Sequence, residues 1–245
     1  MKLIDCHCHF YNLQAWGLQK QLIKAKAAGI EYFLCSALGK QEFKWYQQNI
    51  FPNMKWYAGI HPFYEKNNEH DLPPLEELCR NKEIIAIGEI GLDGRADNNQ
   101  WQRKILFKQL ELAQSYNLPV VFHVVKNYYQ LYKLLKKNFP KIRGFMHGFN
   151  SSREVAETFS QLELAFSVNA RPPKKDALQF IYKKGRLLLE TDSPYQKPYN
   201  SHIDFNELAN LKKIAENVAE ELSISEEKLK KLEKTNLEKY LGLKL

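Results

Sequence analysis

Apolar residues gather in eight short runs at near-even spacing, over 3–9, 32–37, 56–61, 84–91, 119–125, 142–149, 162–168 and 187–192. Several are continuous rather than alternating, as in Ile84-Ile85-Ala86-Ile87 and Leu187-Leu188-Leu189. Strands covered on both faces, as in parallel sheets, have this pattern. Between the runs, apolar positions recur at three and four. Trp101, Ile105, Leu106, Leu110 and Ala113 make one helical stripe, and 128–139 and 204–222 are patterned alike. A Ser223-Ile-Ser-Glu226 box predicts the start of a last helix over 224–234. Eight strands alternating with helices in 245 residues predict an α/β fold, a (β/α)8 TIM-type barrel, with 1–245 as a single domain. A doubly wound sheet is the alternative, but no Gly-x-Gly-x-x-Gly follows the first run, so its dinucleotide-binding form has no support.

Composition narrows the class. Hydrophobic residues make up 44% and charged residues 26%, and 11 Gly and 10 Pro are too few for a disordered or collagen-like chain. No stretch near 18 residues is free of charge, so no transmembrane helix and no membrane partner are expected. The opening Met1-Lys-Leu-Ile-Asp is too short for a signal-peptide core. Four Cys, at 6, 8, 35 and 79, make no disulfide framework, and the expectation is a reduced, cytoplasmic protein, monomeric by default. The net charge of +8 is uneven: residues 120–189 carry 13 basic and 4 acidic groups, while 190–245 carry 9 and 11. Such a block attracts a polyanion, or else coats a solvated surface.

A barrel of this type builds its active site at the C-terminal strand ends. There the sequence reads Asp5-Cys6-His7-Cys8-His9, Gly59-Ile60-His61-Pro62, Gly88-Glu89-Ile90-Gly91-Leu92-Asp93, Phe122-His123, Met146-His147-Gly148 and Glu190-Thr191-Asp192-Ser193-Pro194. Five of the seven histidines occupy these positions. Strand alternation places Asp5, His7 and His9 on one face, and Cys6 and Cys8 on the other as packing residues. A Cys/His zinc knuckle is therefore not expected. His7, His9, His123, His147, Glu89 and Asp192 offer four imidazoles and two carboxylates, a set suited to one or two divalent ions such as Zn²⁺, Mn²⁺ or Mg²⁺. Glu89 is the natural bridge, because a carboxylate spans two ions and a neutral imidazole does not. Glu190 and Asp93 are expected to hydrogen-bond behind this layer. Lys126 and Arg171 are candidate phosphate contacts, and Tyr195 and Trp16 candidates for stacking on bases.

In this order the motifs resemble those of the TatD-type metal-dependent deoxyribonucleases, within the amidohydrolase-like barrels, and the resemblance covers nearly the whole chain. It implies a (β/α)8 barrel with two divalent ions (Mg²⁺, Mn²⁺ or Zn²⁺). His7 and His9 would hold the first ion with Glu89 and Asp192, and His123 and His147 the second. Glu89 would bridge, Asp192 would act as general base, and His61 would face the substrate. The implied partner is DNA, single-stranded or at ends, with 3′–5′ exonuclease behaviour in family members and aminoacyl-tRNA as substrate of some. The chain departs from the family pattern at Val124-Val125-Lys126, at Gly94 after Gly-Leu-Asp, and over 197–206. Hydrolysis of another ester or amide, and a metal-binding member without catalysis, are the alternatives.

Overall fold

The computed structural model describes residues 2–63, 68–198 and 202–244. Its eight strands are β1 (Leu3–Cys8), β2 (Ile30–Leu38), β3 (Met54–Gly59), β4 (Ile87–Asp93), β5 (Val120–Val125), β6 (Arg143–Met146), β7 (Glu163–Val168) and β8 (Leu187–Leu189). They pair in parallel in sequence order, β1 through β8. Ten α-helices among the described residues connect or cover them: α1 (Phe10–Leu13), α2 (Leu18–Ala27), α3 (Lys40–Gln48), α4 (Leu72–Arg80), α5 (Asn99–Ser115), α6 (Tyr128–Asn138), α7 (Arg153–Phe159), α8 (Lys175–Lys183), α9 (Asn210–Glu221) and α10 (Glu226–Leu241). This is the (β/α)8 barrel that the eight runs predict. Past the end of β8, a bridge between Cys8 and Ser193 draws the last strand against the first. The His9 amide donates to Ser193 O at 2.8 Å and the Asp192 amide to His7 O at 2.9 Å.

Two apolar layers hold the barrel. Ile4, Cys6, Leu34, Tyr57, Ala86, Val121, Phe145, Ala165 and Leu188 fill its interior, and Leu237, Tyr240 and Leu241 of α10 pack on them from the N-terminal end. The second layer lies between strands and helices, where alternate residues such as Phe33, Cys35, Val120, Phe122, Leu164 and Phe166 meet the helical stripes. On β5, β6 and β8 the alternation runs cleanly: two residues beyond Val121, Phe145 and Leu188 come His123, His147 and Glu190, at the mouth.

On β1 the alternation breaks, and the expected faces need correction. Ile4 and Cys6 belong to the interior layer, whereas Cys8 belongs to the outer one, with Sγ 3.7 Å from that of Cys35. The β1–β2 register shifts between Asp5 and Cys8. Cys6 and Cys8 therefore do not share a face, and His7 follows Cys6 inward instead of opposing it. A second shift, between Gly88 and Ile90, turns Glu89 inward although Ala86 already points there. Such irregularities re-aim single side chains and recur beside active sites.

The helix ends also differ from expectation. Residues 204–209 are not helical because they tie down the β8 end: Asn206 Nδ2 donates to Thr191 O at 2.6 Å and Ser193 Oγ donates to Asn206 O at 2.6 Å. The last helix starts after Ser225, whose Oγ accepts from the Lys228 amide, while Ser223 closes α9 with φ +54°. It runs on to Leu241 because its last turns plug the barrel, and it stops at Gly242, φ +72°. Residues 199–201, in the divergent 197–206 stretch, lie outside the described residues. No described helix is long and apolar enough to cross a membrane.

Candidate metal centre

Six side chains from five strand ends converge at the mouth. His7 Nε2 and His9 Nε2 are 3.2 Å apart. Glu89 Oε1 lies 3.3 and 3.4 Å from them, and Asp192 Oδ1 lies 3.4 and 3.2 Å from them. His7, His9 and Glu89 thus form one group of candidate donors, at separations that suit a shared ion about 2.0 Å from each, the length of a Zn–N or Zn–O bond. On the other side, Glu89 Oε2 lies 2.9 Å from His147 Nε2 and 3.6 Å from His123 Nδ1, and those two nitrogens are 3.0 Å apart. The two oxygens of one carboxylate thus serve two histidine pairs.

The buried atoms here ask for a cation. Glu89 is almost fully buried, and its Oε1 has no hydrogen-bond partner among the described residues. Burial alone would raise the Glu89 and Asp192 carboxyls. For Glu89 the charges of His7 and His147 prevail, and for Asp192 the hydrogen bonds of His7 and His9, so both are held well below the usual carboxylate range. Against the effect of burial, His7 is raised well above the ordinary imidazole value by Glu89 and Asp192, and His147 to about 9 by Glu89 and Glu190. Protonated imidazoles here do the neutralising that a divalent ion does when it replaces those protons. The donor set fits divalent metal.

A layer of polar groups orients the candidate ligands. His7 Nδ1 meets the Tyr57 hydroxyl inside the barrel, leaving Nε2 for the centre. His123 Nε2 is 2.8 Å from Asp93 Oδ2. Asp93 is fully buried; its amide donates to Gln102 Oε1 at 2.7 Å and its carboxylate takes Arg95 Nε at 2.9 and 3.1 Å. Gly91 allows β4 to approach β5 this closely, since a Cβ there would stand 1.8 Å from His123 O. Glu190 lies below the ligands as expected, with Oε1 accepting from the Gly148 amide at 2.8 Å and Oε2 from Ser167 Oγ. Its distance to His147 Nδ1 is 3.8 Å. Asp5 is no ligand: it accepts from the Thr191 amide at 2.9 Å and from the Thr191 hydroxyl, pinning β1 to the β8 end, and burial pushes its carboxyl up to about 7.

His61 differs from the other four histidines. Its Nδ1 accepts from the Phe63 amide at 3.0 Å, so the neutral ring carries its proton on Nε2. Burial, then the neighbouring His123, depress its pKa well below the ordinary value, which keeps the ring neutral. His61 therefore presents an N–H to the cavity, 3.8 Å from Glu89 Oε2.

The site opens into a cavity of about 340 Å³ lined by five of the candidate ligands, His61, Leu38, Phe63, Arg95, Tyr195 and Gln196. Tyr195 is half-exposed, edge-on to His9 with ring centroids 5.1 Å apart. Lys126 and Arg171 are not among the lining residues. Lys126 is exposed beyond β5, and Arg171 Nη2 donates to Lys197 O at 3.1 Å. Trp16 is stacked on Phe205, centroids 4.6 Å apart, which covers one of its faces. The basic block of 120–189 lies largely elsewhere. Lys133, Lys136, Lys137 and Lys183 are on α6 and α8. Arg186 is bound to the carbonyls of Leu162 and Leu164 at the barrel's N-terminal end. Arg95, which pattern reading did not single out, is the one Lys or Arg among the described lining residues.

Fold and candidate ligand set together point to a metal-dependent hydrolase built on a (β/α)8 barrel. The sequence model of the family "TatD related DNase" matches residues 4–242, and the chain belongs to that family. It is 31% identical over 206 residues to the uncharacterized metal-dependent hydrolase YjjV of Escherichia coli, covering 79% of this chain and 80% of that one. It is 29% identical over 233 residues to the uncharacterized metal-dependent hydrolase YabD of Bacillus subtilis, covering 89% and 90%. The crystal structure of the TatD homologue YjjV superposes with a TM-score of 0.89 at 26% identity, over 99% of this chain and 98% of that one. A TatD family hydrolase of Entamoeba histolytica shares the fold, with a TM-score of 0.84 at 21% identity over 99% of each chain.

Proposed function

We propose that this protein is a two-metal deoxyribonuclease, hydrolysing phosphodiester bonds of single-stranded DNA or DNA ends. The observation that carries the two-metal reading is the division of Glu89, with Oε1 toward His7 and His9 and Oε2 toward His147 and His123. One ion would be held by His7, His9, Glu89 and Asp192, the other by Glu89, His123 and His147, each Mg²⁺, Mn²⁺ or Zn²⁺. When bound, such ions supply a water acidified toward neutrality and positive charge for the phosphate oxygens.

The chain's own groups complete the chemistry. Asp192, held ionised at the edge of the cavity, takes the proton of the attacking water as general base. His61 donates Nε2–H to a phosphate oxygen, where charge builds in the transition state. Tyr195 offers its half-exposed ring to a base. Lys126 and Arg171 draw flanking phosphates from outside the cavity. The family description supports nucleic acid as the substrate class.

The test gives purified protein Mg²⁺, Mn²⁺ or Zn²⁺ in turn, with single-stranded DNA and a panel of carboxylic esters and amides. DNA cleavage that is lost in His123→Ala and Asp192→Asn is the expected result. Ester or amide turnover without DNA turnover would overturn the nuclease reading, and so would metal binding with no turnover of either.

A further inference from the structure

We infer that Arg95 is the phosphate clamp of this cavity, a substrate-contacting residue that selects anionic, phosphate-bearing substrates; this rests on the phosphodiesterase reading of the site. Arg95 follows β4 on a loop held in two places. Its amide donates to Asp93 Oδ1 at 2.9 Å, and the Gly94 amide donates to Val125 O at 2.9 Å. Glycine at 94 allows this close seat, because a Cβ would stand 3.2 Å from each of Lys126 Cβ, Asn127 Nδ2 and Val125 O. The loop thus turns the side chain at 95 back over the mouth.

The guanidinium is held along one edge and beneath one face. Nε and Nη2 grip the Asp93 carboxylate. Cζ lies over the Phe63 ring, 4.8 Å from its centroid. Nη1 has no hydrogen-bond partner among the described residues, and the side chain is 49% exposed while Asp93 is fully buried. Five N–H groups in a rigid fork let one arginine hold a carboxylate on one edge and an anion on another. Held this way, Arg95 gives up little rotamer freedom on binding. The remaining lining groups include the carboxylates of Glu89 and Asp192 but no other Lys or Arg among the described residues. A phosphate entering here meets one arginine and no lysine among the described residues at the wall.

Arg95→Gln and Arg95→Lys decide the matter, with three readouts on metal-loaded protein. The first is kinetics on a labelled single-stranded oligodeoxynucleotide over a range of salt. The second is affinity for inorganic phosphate by calorimetry. The third is metal content per chain. The clamp predicts that R95Q lowers kcat/KM on DNA about ten- to hundredfold, mainly through KM, as loss of a hydrogen-bonded charge does. The log–log dependence on salt becomes shallower by about 0.7, the value of one phosphate contact on a single strand. Phosphate affinity falls in R95Q, metal content does not change, and R95K restores the salt slope. If R95Q stays within twofold of the parent protein on both DNA and phosphate, the clamp is wrong and the nuclease reading stands. If R95Q loses metal, Arg95 acts through Asp93 and is no clamp. If the parent protein cleaves no DNA yet R95Q weakens phosphate binding, the nuclease reading fails and the clamp survives.

Discussion

His123 Nε2 lies 2.8 Å from Asp93 Oδ2, and that contact decides which nitrogen of His123 faces Glu89. With Nε2 committed to the carboxylate, Nδ1 is left as the ligand atom, 3.0 Å from His147 Nε2. Asp93→Asn removes the charge and offers an N–H where the ring needs an acceptor. Changes of this kind behind a metal ligand typically cost about 10–100-fold in metal affinity or activity. Zinc titration of the variant by calorimetry should show one site weakened by about that factor and the His7–His9 site intact. Equal weakening of both sites would show that Asp93 does not act through His123.

Glu89→Gln tests the bridge. The amide keeps the size of the side chain but carries no charge, and one end is an N–H₂ facing two imidazoles. Losing a shared ligand should cost more than the about 10–100-fold typical of an orienting residue. Elemental analysis should find fewer ions per chain than in the parent protein, and hydrolysis should be nearly abolished. Unchanged metal content would refute the bridging role.

Metal should also stabilise the fold, because its ligands come from β1, β4, β5, β6 and the β8 end. A ligand at a hundred times its dissociation constant adds about 2.7 kcal/mol per site. For a chain of this size that raises Tm by roughly 5–11 °C. Thermal scans with chelator and with added Zn²⁺ or Mn²⁺ measure the difference. Identical curves would mean that the six side chains hold no ion.

Much of this was legible in the sequence, and the gaps have physical causes. The eight runs gave the barrel because each parallel strand is buried on both faces. His123, His147, Glu190 and Asp192 are legible from their positions at strand ends, and on β5, β6 and β8 simple alternation carries His123, His147 and Glu190 to the mouth. On β1 alternation brings His7 and His9 to the mouth for a reason the structure corrects: it puts Cys6 opposite His7, and the register shift after Asp5 brings both inward. No pattern of residue types reports a register shift of that kind. Arg95 was passed over because a lone arginine in a short loop carries no periodicity. Its role depends on Phe63, thirty-two residues earlier, lying under the guanidinium. The charge excess of 120–189 leaves a polyanion site and a solvated coat both open in the sequence, and helices and the closed end of the barrel carry much of it.

Glu233 provides a pH test remote from the metal ligands. It is buried on α10, at the closed end of the barrel, where Oε1 accepts from the Leu189 amide at 2.9 Å. Oε2 has no hydrogen-bond partner among the described residues. Burial pushes its carboxyl well above the usual value, and the backbone amides of Leu189 and Ile4 offset this only in part. The folded state therefore holds its proton more tightly than the unfolded chain, where glutamate titrates near about 4.3. Stability from this group is complete below that pH and is lost as pH rises toward the folded-state value, at up to about 1.4 kcal/mol per unit. Glu233→Gln keeps an acceptor for Leu189 and does not titrate. Urea unfolding from pH 4 to 8 should show the variant gaining on the parent protein as pH rises, with the smallest difference at pH 4. Parallel stability curves across that range would show that Glu233 is ionised in the fold and that another group neutralises it.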